Sequence, residues 1–271
     1  MTLDDVKARG LVLLGCGKMG SAMLEGWLGQ GLPASAVWVL DPHPSDWLKG
    51  LDGLHLNETL PESPAIVLIA VKPQMMGEAL PVLTPLGEGN TLFLSVAAGT
   101  PISAYEAVLG AKTPIIRAMP NTPAAIARGI TAIIGNANAS AAQLDLAETL
   151  LSAVGQVVRL EDEAQMDAVT AVSGSGPAYV FHLIETLAAA GEAEGLAPDL
   201  AMALAKATVG GAGALAEEVD DSPSQLRINV TSPGGTTQAA LEVLMNEDDG
   251  FPALLRRAVG AAANRSRELA K

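Results

Sequence analysis

Short apolar runs alternate with stretches of helical periodicity over the first part of the chain. The apolar runs predict seven strands, at residues 11–14, 36–40, 65–71, 91–97, 114–119, 130–135 and 156–160. Residues 65–71 are apolar throughout, which is typical of a central parallel strand that is buried on both faces. Helices are predicted between the strands, at 21–30, 74–83, 101–109 and 140–154. This alternation predicts an α/β domain with a doubly wound, mostly parallel sheet.

The strand pattern stops near Leu160, where the acidic run Glu161-Asp162-Glu163 begins. Beyond this run the sequence predicts helices, at residues 163–172, 177–194, 198–219, 223–229, 235–246 and 251–271. We therefore predict two domains. Residues 1–161 form the α/β domain, and residues 162–271 form an all-α domain.

Two of the predicted helices, 177–194 and 198–219, are apolar almost all the way round. A helix without a polar face has to be enclosed by other protein. A second subunit is the simplest source of that cover, although a buried position within one chain would also account for the pattern. The helical domain is therefore predicted to make a homodimer or a higher homo-oligomer.

Charge and composition exclude several classes of function. The net charge of −14, with no basic stripe, excludes a nucleic-acid partner. No segment approaches the ~20 consecutive apolar residues of a membrane helix, and residues 1–10 lack the apolar region of a secretory signal. The single cysteine and three dispersed histidines show no metal-ligand spacing. We expect a cytoplasmic protein, with no metal, whose chemistry depends on an organic cofactor.

The sequence Gly15-Cys16-Gly17-Lys18-Met19-Gly20 lies between the first predicted strand and the first helix. In a dinucleotide site the three glycines of such a loop permit a tight turn, close approach of the pyrophosphate and close packing of the helix on the strand. The helix N-terminus then presents N–H groups to the phosphates. The context predicts a dinucleotide-binding domain of the Rossmann type.

Asp41 ends the second predicted strand, about 20 residues beyond the last glycine of the loop, where an acidic residue binds the ribose hydroxyls. An alternative is that Asp41 only opens the turn at residues 41–45, since Asp is favoured there for local reasons. Lys72 follows the strand at 65–71, at the edge of the sheet where ligands bind in open α/β domains.

Residues 231–237, Thr-Ser-Pro-Gly-Gly-Thr-Thr, have the features of a second anion site. Two glycines would expose backbone N–H groups, two threonines offer hydroxyls, and a helix begins there. The plainer alternative is a Ser-Pro cap followed by a glycine-rich first turn. Residues 173–179, Ser-Gly-Ser-Gly-Pro-Ala-Tyr, are either a ligand-facing break or a simple interruption of a helix.

Five segments together closely resemble the pyrroline-5-carboxylate reductase family. They are Gly15-Cys16-Gly17-Lys18-Met19-Gly20, Ala70-Val71-Lys72-Pro73, Met119-Pro120-Asn121-Thr122-Pro123, Ser173-Gly174-Ser175-Gly176-Pro177-Ala178-Tyr179 and Thr231-Ser232-Pro233-Gly234-Gly235-Thr236-Thr237. The resemblance runs from about Val12 to the C-terminus, in the expected order. It implies a Rossmann domain, a helical dimerisation domain, and reduction of 1-pyrroline-5-carboxylate to proline by hydride transfer from NAD(P)H.

The resemblance also assigns residues to the site. The coenzyme would contact Leu14, Gly15, Cys16, Gly17, Lys18, Met19, Asn57, Val71, Lys72, Pro73, Ala97, Ala98 and Asn121. The substrate would contact Ser232, Gly234, Gly235, Thr236, Thr237 and, less directly, Asp220. Thr237 and Lys72 are the catalytic candidates, and the proton for the imine nitrogen would come from the Thr237 hydroxyl or from water.

One departure from the family pattern concerns the coenzyme. Asp41 stands where members that prefer NADPH have Ser, Asn or Arg, and a carboxylate repels the 2′-phosphate. We therefore expect NADP(H) from the resemblance but comparable use of NAD(H) from Asp41. Two alternative hypotheses are a β-hydroxyacid dehydrogenase and a dinucleotide sensor. A β-hydroxyacid dehydrogenase carries a catalytic Lys followed by an Asn on a helix of its second domain, and no Asn follows Lys206 one turn on. A dinucleotide sensor would not need the second anion site at 231–237.

Overall fold

The computed structural model describes residues 2–269. Within them, one sheet contains the strands β1 Leu11–Leu14, β2 Val37–Leu40, β3 His55–Leu56, β4 Ile66–Ile69, β5 Leu92–Ser95, β6 Ile115–Met119, β7 Gly129–Gly135 and β8 Gly155–Arg159. The strand order is β3-β2-β1-β4-β5-β6-β7-β8. β6 and β7 pair antiparallel, and the other neighbouring strands pair parallel. The predicted fold class, a doubly wound and mostly parallel sheet followed by helices, is confirmed.

The helices that precede residue 174 are α1 Leu3–Arg9, α2 Lys18–Gly29, α3 Asp46–Lys49, α4 Met76–Ala79, α5 Ile102–Leu109, α6 Ala141–Leu151 and α7 Met166–Val169. Two sequence predictions are wrong in detail. The helix predicted at 74–83 is the short α4 between 3-10 turns, because Pro81 and Pro85 cannot donate to an α-helical ladder. The helix predicted at 163–172 is a 3-10 turn, then α7, then a π-helical turn at Thr170–Gly174.

Apolar side chains cover both faces of the sheet, as a parallel sheet requires. On one face α2 and α6 contribute Trp27 and Leu150 to the core, and the Trp27 indole N–H donates a 2.8 Å hydrogen bond to the Leu150 carbonyl. On the other face α5 contributes Tyr105 and Leu109, which pack with Leu83. The sheet is thereby held rigidly beneath the loops that follow its strands.

The chain divides into two compact units. The first runs through Gly174 and resumes at Ala263, and the second is Ser175–Ala262. The helices after residue 174 are α8 Gly176–Ala193, α9 Pro198–Glu218, α10 Pro223–Asn229, α11 Thr236–Leu244 and α12 Phe251–Leu269. The predicted division after residue 161 marks where strands give way to helices and stays a prediction, whereas the packing units divide at Gly174. Residues 270 and 271 of the last predicted helix lie outside the described residues.

The second unit has little core of its own. α8 and α9 pack against each other through Ala188, Ala201 and Ala205, which are buried. Large apolar side chains on these helices are open to solvent, including Phe181 at 58% and Leu204 at 48% exposure. Within residues 2–269, no helix has both the length and the apolar character to cross a lipid bilayer.

Candidate coenzyme and substrate sites

The three glycines of the loop after β1 differ in what surrounds them, as a dinucleotide site requires. Gly15 has φ +84°, and a Cβ there would lie 2.8 Å from Cγ1 of Val71. A Cβ at Gly20 would lie 2.6 Å from the Gly15 carbonyl oxygen. A Cβ at Gly17 would meet no atom within 4 Å, and Gly17 is the N-cap of α2. The loop therefore leaves open space against the first N–H groups of α2, which fits a pyrophosphate.

The other candidate coenzyme residues follow the carboxyl ends of the central strands. Leu14 of β1 lies beside Ile69 of β4, and Ile69 lies beside Ser95 of β5. The segments Val71-Lys72-Pro73 and Ala97-Ala98 therefore leave the same edge of the sheet as the glycine-rich loop. Because the strand order reverses direction between β1 and β4, this edge is the usual ligand site of a doubly wound sheet.

Lys72 itself is exposed and starts the 3-10 turn Pro73–Met75. The residue is therefore open to solvent just beyond the carboxyl end of β4.

Asp41 lies at the end of β2 and fastens two backbone segments. Its Oδ2 accepts a 2.7 Å hydrogen bond from the Cys16 N–H, and its Oδ1 accepts a 2.8 Å bond from the His43 N–H. Asp41 therefore stabilises the turn through His43 and also lies beside the glycine-rich loop through Cys16. Each carboxylate oxygen keeps lone pairs for further donors such as ribose hydroxyls.

Asn57 follows β3 with φ +56°, and its side-chain amide is used to hold the end of β2. Its Oδ1 accepts from the Asp41 N–H at 2.9 Å, and its Nδ2 donates to the Asp41 carbonyl at 2.8 Å. These two bonds clamp the ends of β2 and β3 together. The sequence gives no sign of this clamp, because the two residues meet only once the sheet has formed.

Cys16 is a buried residue of the glycine-rich loop. Burial, and secondarily the nearby Asp41 charge, raises the pKa of the Cys16 thiol to about 12. The thiol therefore stays neutral at physiological pH and acts as a packing group.

Asn121 follows β6, at the same edge of the sheet. Its Oδ1 accepts a 3.0 Å hydrogen bond from the Ile130 N–H, which fixes the entry to β7.

The π-helical turn Thr170–Gly174 packs closely on the end of β6, because a Cβ at Gly174 would lie 2.5 Å from Cε of Met119. This contact explains why position 174 requires a residue as small as glycine.

A polar network beneath the loop after β5 is absent from the sequence predictions. Ser95 Oγ lies 2.5 Å from the Tyr105 hydroxyl and accepts from the Ala97 N–H at 3.2 Å. Arg117 donates to Oε1 of Glu163 at 2.7 Å, and the same oxygen accepts the Ile102 N–H at 2.9 Å. One signal was available: an arginine inside an apolar strand must find a partner.

The loop at 231–237 connects α10 to α11 in the second unit. Ser232-Pro233-Gly234-Gly235 is a turn in which the Gly235 N–H donates to the Ser232 carbonyl, with Gly234 at φ +71°. The Gly234 N–H donates to the Gln238 side chain at 2.8 Å. The expectation that these two glycine N–H groups are exposed for an anion is therefore wrong, because the turn and Gln238 occupy them.

The donors that remain at this loop come from the start of α11. The first N–H groups of an α-helix have no partner within the helix, and those of α11 belong to Thr236, Thr237 and Gln238. Ser232 and Thr236 are exposed and Thr237 is half-buried, and all three residues lie in or just before the first turn of this helix. Asp220 is exposed and lies in the segment between α9 and α10. The arrangement suits a small carboxylate.

A Rossmann-type sheet with a fitting dinucleotide loop, continued by a helical unit, defines a nicotinamide-dependent oxidoreductase. Two family models match the chain. Residues 163–269 match the model described as pyrroline-5-carboxylate reductase dimerisation, and residues 11–99 match one described as NADP oxidoreductase, coenzyme F420-dependent.

Similar proteins specify the class further. A pyrroline-5-carboxylate reductase of Pseudomonas aeruginosa is 41% identical over 266 residues, covering 96% of this chain and 97% of the relative. The solved structure of a pyrroline-5-carboxylate reductase from Coxiella burnetii has a TM-score of 0.90 at 34% identity, covering 97% of this chain and 99% of that one. The Plasmodium falciparum enzyme, solved with NADP bound, has a TM-score of 0.84 at 28% identity, covering 98% and 99%. The chain belongs to the pyrroline-5-carboxylate reductase family, whose reaction is the last step of proline biosynthesis.

Proposed function

We propose that this chain reduces 1-pyrroline-5-carboxylate to proline through the two sites described above. The proposal is supported by two features of the structure: a glycine-rich loop open at Gly17, and a helix whose first turn and preceding loop carry Ser232, Thr236 and Thr237. The first suits a dinucleotide, and the second suits the carboxylate of a small imino acid.

On the coenzyme side, we assign the pyrophosphate to the N-terminus of α2. The proposed contacts are Leu14, Gly15, Cys16, Gly17, Lys18 and Met19 for the pyrophosphate, Asp41 and Asn57 for the adenosine half, and Val71, Lys72, Pro73, Ala97, Ala98 and Asn121 for the nicotinamide half. A bound reduced nicotinamide coenzyme supplies the hydride. The protein's task is to hold the ring and the imine in one orientation, which is the main contribution to the rate.

On the substrate side, we assign the carboxylate to the N-terminus of α11. The backbone N–H groups of Thr236 and Thr237 and the hydroxyls of Ser232, Thr236 and Thr237 are the donors. Gly234 and Gly235 shape the turn, since their own N–H groups are bonded within it. The Thr237 hydroxyl or a water delivers the proton to the imine nitrogen, Lys72 adds a positive charge near the coenzyme, and Asp220 lies toward the ring nitrogen.

We propose that NADH serves at least comparably with NADPH. The Asp41 carboxylate is held by the Cys16 and His43 N–H groups, so it cannot simply turn away from an arriving ribose. It can accept from both ribose hydroxyls, whereas it repels a 2′-phosphate. Lys49, a basic residue close by in sequence, is paired with Asp46.

We also propose a homodimer, which can assemble further, as the working form in the cytoplasm. The exposed apolar side chains of α8 and α9 support this assembly, because they lack cover within the unit to which they belong. The dimerisation model that matches residues 163–269 supports it as well.

The test is a spectrophotometric assay with purified protein, the imine, and either NADH or NADPH. We expect loss of the reduced-nicotinamide absorbance that depends on the imine, and formation of proline in equal amount. A β-hydroxyacid dehydrogenase would instead reduce oxidised coenzyme with a hydroxy acid, and a sensor would bind coenzyme without turnover. Either of these results contradicts the proposed reaction.

A further inference from the structure

The buried network around Tyr105 has no place in the assignments above, although it ends at the coenzyme edge of the sheet. Ser95 is the last residue of β5 and is fully buried, as is Tyr105 on α5. Ser95 lies beside Arg117 of β6 in the parallel register, so both side chains leave the same face of the sheet. α5 covers this face, with Tyr105 in its core.

The network has two arms that meet on α5. In the first arm the Tyr105 hydroxyl lies 2.5 Å from Ser95 Oγ, which accepts the Ala97 N–H at 3.2 Å. In the second arm Glu163 accepts from Arg117 and from the N–H of Ile102, the first residue of α5. A carboxylate at a helix N-terminus is favoured by the helix dipole, and Arg117 compensates its charge. The second arm thereby fixes α5, and with it the Tyr105 hydroxyl.

The first arm determines the backbone after β5. Ser95 is fully buried, so no solvent competes for its hydroxyl, and its bond to Ala97 sets the direction in which the chain leaves the strand. Burial raises the pKa of Tyr105, so the phenol is neutral and able to donate to Ser95. Two hydroxyls in series thus hold Ala97 and Ala98, the residues assigned to the nicotinamide half of the coenzyme.

We infer that Ser95 and Tyr105 are positioning residues for the nicotinamide half of the coenzyme, acting through the Ala97 backbone. The inference rests on the proposed placement of Ala97 and Ala98 beside that half. A positioning role differs from a purely structural role because only the affinity for the nicotinamide half should depend on the two hydroxyls. The pyrophosphate is assigned to the end of β1 and the adenosine half to the ends of β2 and β3, so the affinity for these parts has no reason to depend on the Ser95 hydroxyl.

The experiment compares the full-length parent with Ser95→Ala and Tyr105→Phe by calorimetric titration. Each protein is titrated with NADH, with NADPH, and with ADP-ribose, which lacks the nicotinamide. We expect affinity for the dinucleotides to fall about two- to tenfold in both variants, as for loss of one buried hydrogen bond. Affinity for ADP-ribose should stay within twofold, roughly the error of such a comparison.

Thr113→Val is the matched control. Thr113 is also fully buried, and its hydroxyl accepts the Glu88 N–H at 2.8 Å and donates to the Leu109 carbonyl at 2.7 Å. It precedes β6 and therefore lies at the opposite edge of the sheet. We expect Thr113→Val to lower the melting temperature about as much as Ser95→Ala and Tyr105→Phe do, and to leave the affinity for all three ligands unchanged.

The double variant Ser95→Ala/Tyr105→Phe tests whether the two hydroxyls act in series. The double variant should bind NADH less weakly than the two single effects added together, because the Tyr105 hydroxyl reaches Ala97 through Ser95, although it also interacts with the Thr100 side chain. The inference is overturned if dinucleotide affinity is unchanged in the single variants, or if ADP-ribose binding falls in parallel. Calorimetry measures coenzyme binding without the imine. A parent that fails to reduce the imine would therefore contradict the proposed function, but the affinities of the variants could still be compared with that of the parent.

Discussion

The backbone N–H of Cys16 donates a 2.7 Å hydrogen bond to Oδ2 of Asp41, which joins the glycine-rich loop to the end of β2. The carboxylate therefore has two tasks that a change of residue separates. It fastens the loop, and it presents negative charge where the adenosine ribose is expected. A variant that keeps the acceptor but removes the charge distinguishes the two.

The first prediction concerns Asp41 and the coenzyme. The parent should use NADH at least comparably with NADPH, and Asp41→Ser should raise the NADPH-to-NADH ratio of kcat/KM by about tenfold or more. The physical reason is repulsion: two unit charges ~4 Å apart interact by about 4 kcal/mol at an effective dielectric constant near 20. Steady-state kinetics with both coenzymes measures the ratio.

Asp41→Asn is the control for this prediction, because its amide oxygen can still accept the Cys16 N–H. The ratio should move in the same direction as in Asp41→Ser, with a smaller loss of total activity. If the parent already prefers NADPH a hundredfold and neither substitution changes that preference, Asp41 is only a turn residue.

The second prediction concerns Thr237 at the start of α11. Thr237→Ala should raise the KM for the imine or lower kcat by roughly ten- to a hundredfold, the value of one hydrogen bond to a charged group. Coenzyme affinity should hardly change. Thr237→Ser keeps the hydroxyl and should restore most of the activity.

Thr231→Ala is a matched control within the same loop, since the Thr231 hydroxyl already donates to the Arg227 carbonyl at 2.6 Å. It should leave the imine KM near the parent value. The carboxylate assignment is wrong if Thr237→Ala weakens coenzyme binding while the imine kinetics are unaffected.

The third prediction concerns the Cys16 thiol. Because burial raises its pKa to about 12 from an ordinary 9.0, the folded protein holds this proton more tightly than the unfolded chain does. The resulting stabilisation is complete below pH 9.0 and is lost as the pH rises from there toward 12. Urea unfolding over this range should show the stability of the parent falling relative to Cys16→Ala.

Alkylation gives an independent measurement on the same residue. At pH 8 the native protein should react with iodoacetamide far more slowly than the unfolded chain, since the thiolate is the reacting form. Fast labelling of the native protein, at the unfolded rate, would contradict the burial of this thiol.

The fourth prediction concerns Leu204 on α9, which is 48% exposed within the single chain. Leu204→Asp should shift the protein toward monomers in sedimentation experiments, because it places an unpaired charge in an apolar interface. Leu204→Met, which keeps the apolar contact, should assemble like the parent. A stable and fully active parent monomer at low protein concentration would remove the basis for the dimer.

Long apolar runs made most of the sheet predictable. The sequence does not predict β3, because His55 and Leu56 are too short a run to show any periodicity. The strand is defined by its pairing with β2, and the Asn57 side chain holds the ends of the two strands together. The helix at 74–83 was predicted from its periodicity, but Pro81 and Pro85 limit the ladder that it can form. Local sequence patterns thus predict where most helices and strands lie. Residues that cannot donate a backbone hydrogen bond, such as Pro81 and Pro85, decide whether a helix is α-helical or 3-10.

The site was predictable where a residue's role depends on its neighbours in sequence. Gly15 and Gly20 have the steric reasons that the motif implies. Glu163 was interpreted as a boundary residue, whereas it accepts from Arg117, which is distant along the chain. Such a partnership exists only after the strands have been ordered, so no local pattern indicates it. The roles assigned to Thr237 and Lys72 stay predictions.

α12 begins in the second unit and ends in the first, where the Ser266 hydroxyl donates to Asp167 at 2.6 Å and Leu269 packs beside Gly99. During translation the residues from Ala263 leave the ribosome after the whole of the second unit. The nascent coenzyme unit therefore stays incomplete beside Gly99 until residues 263–269 have left the ribosome. A chain cut after Gly174 would contain every described strand of the sheet but would lack the helical segment that packs beside Gly99.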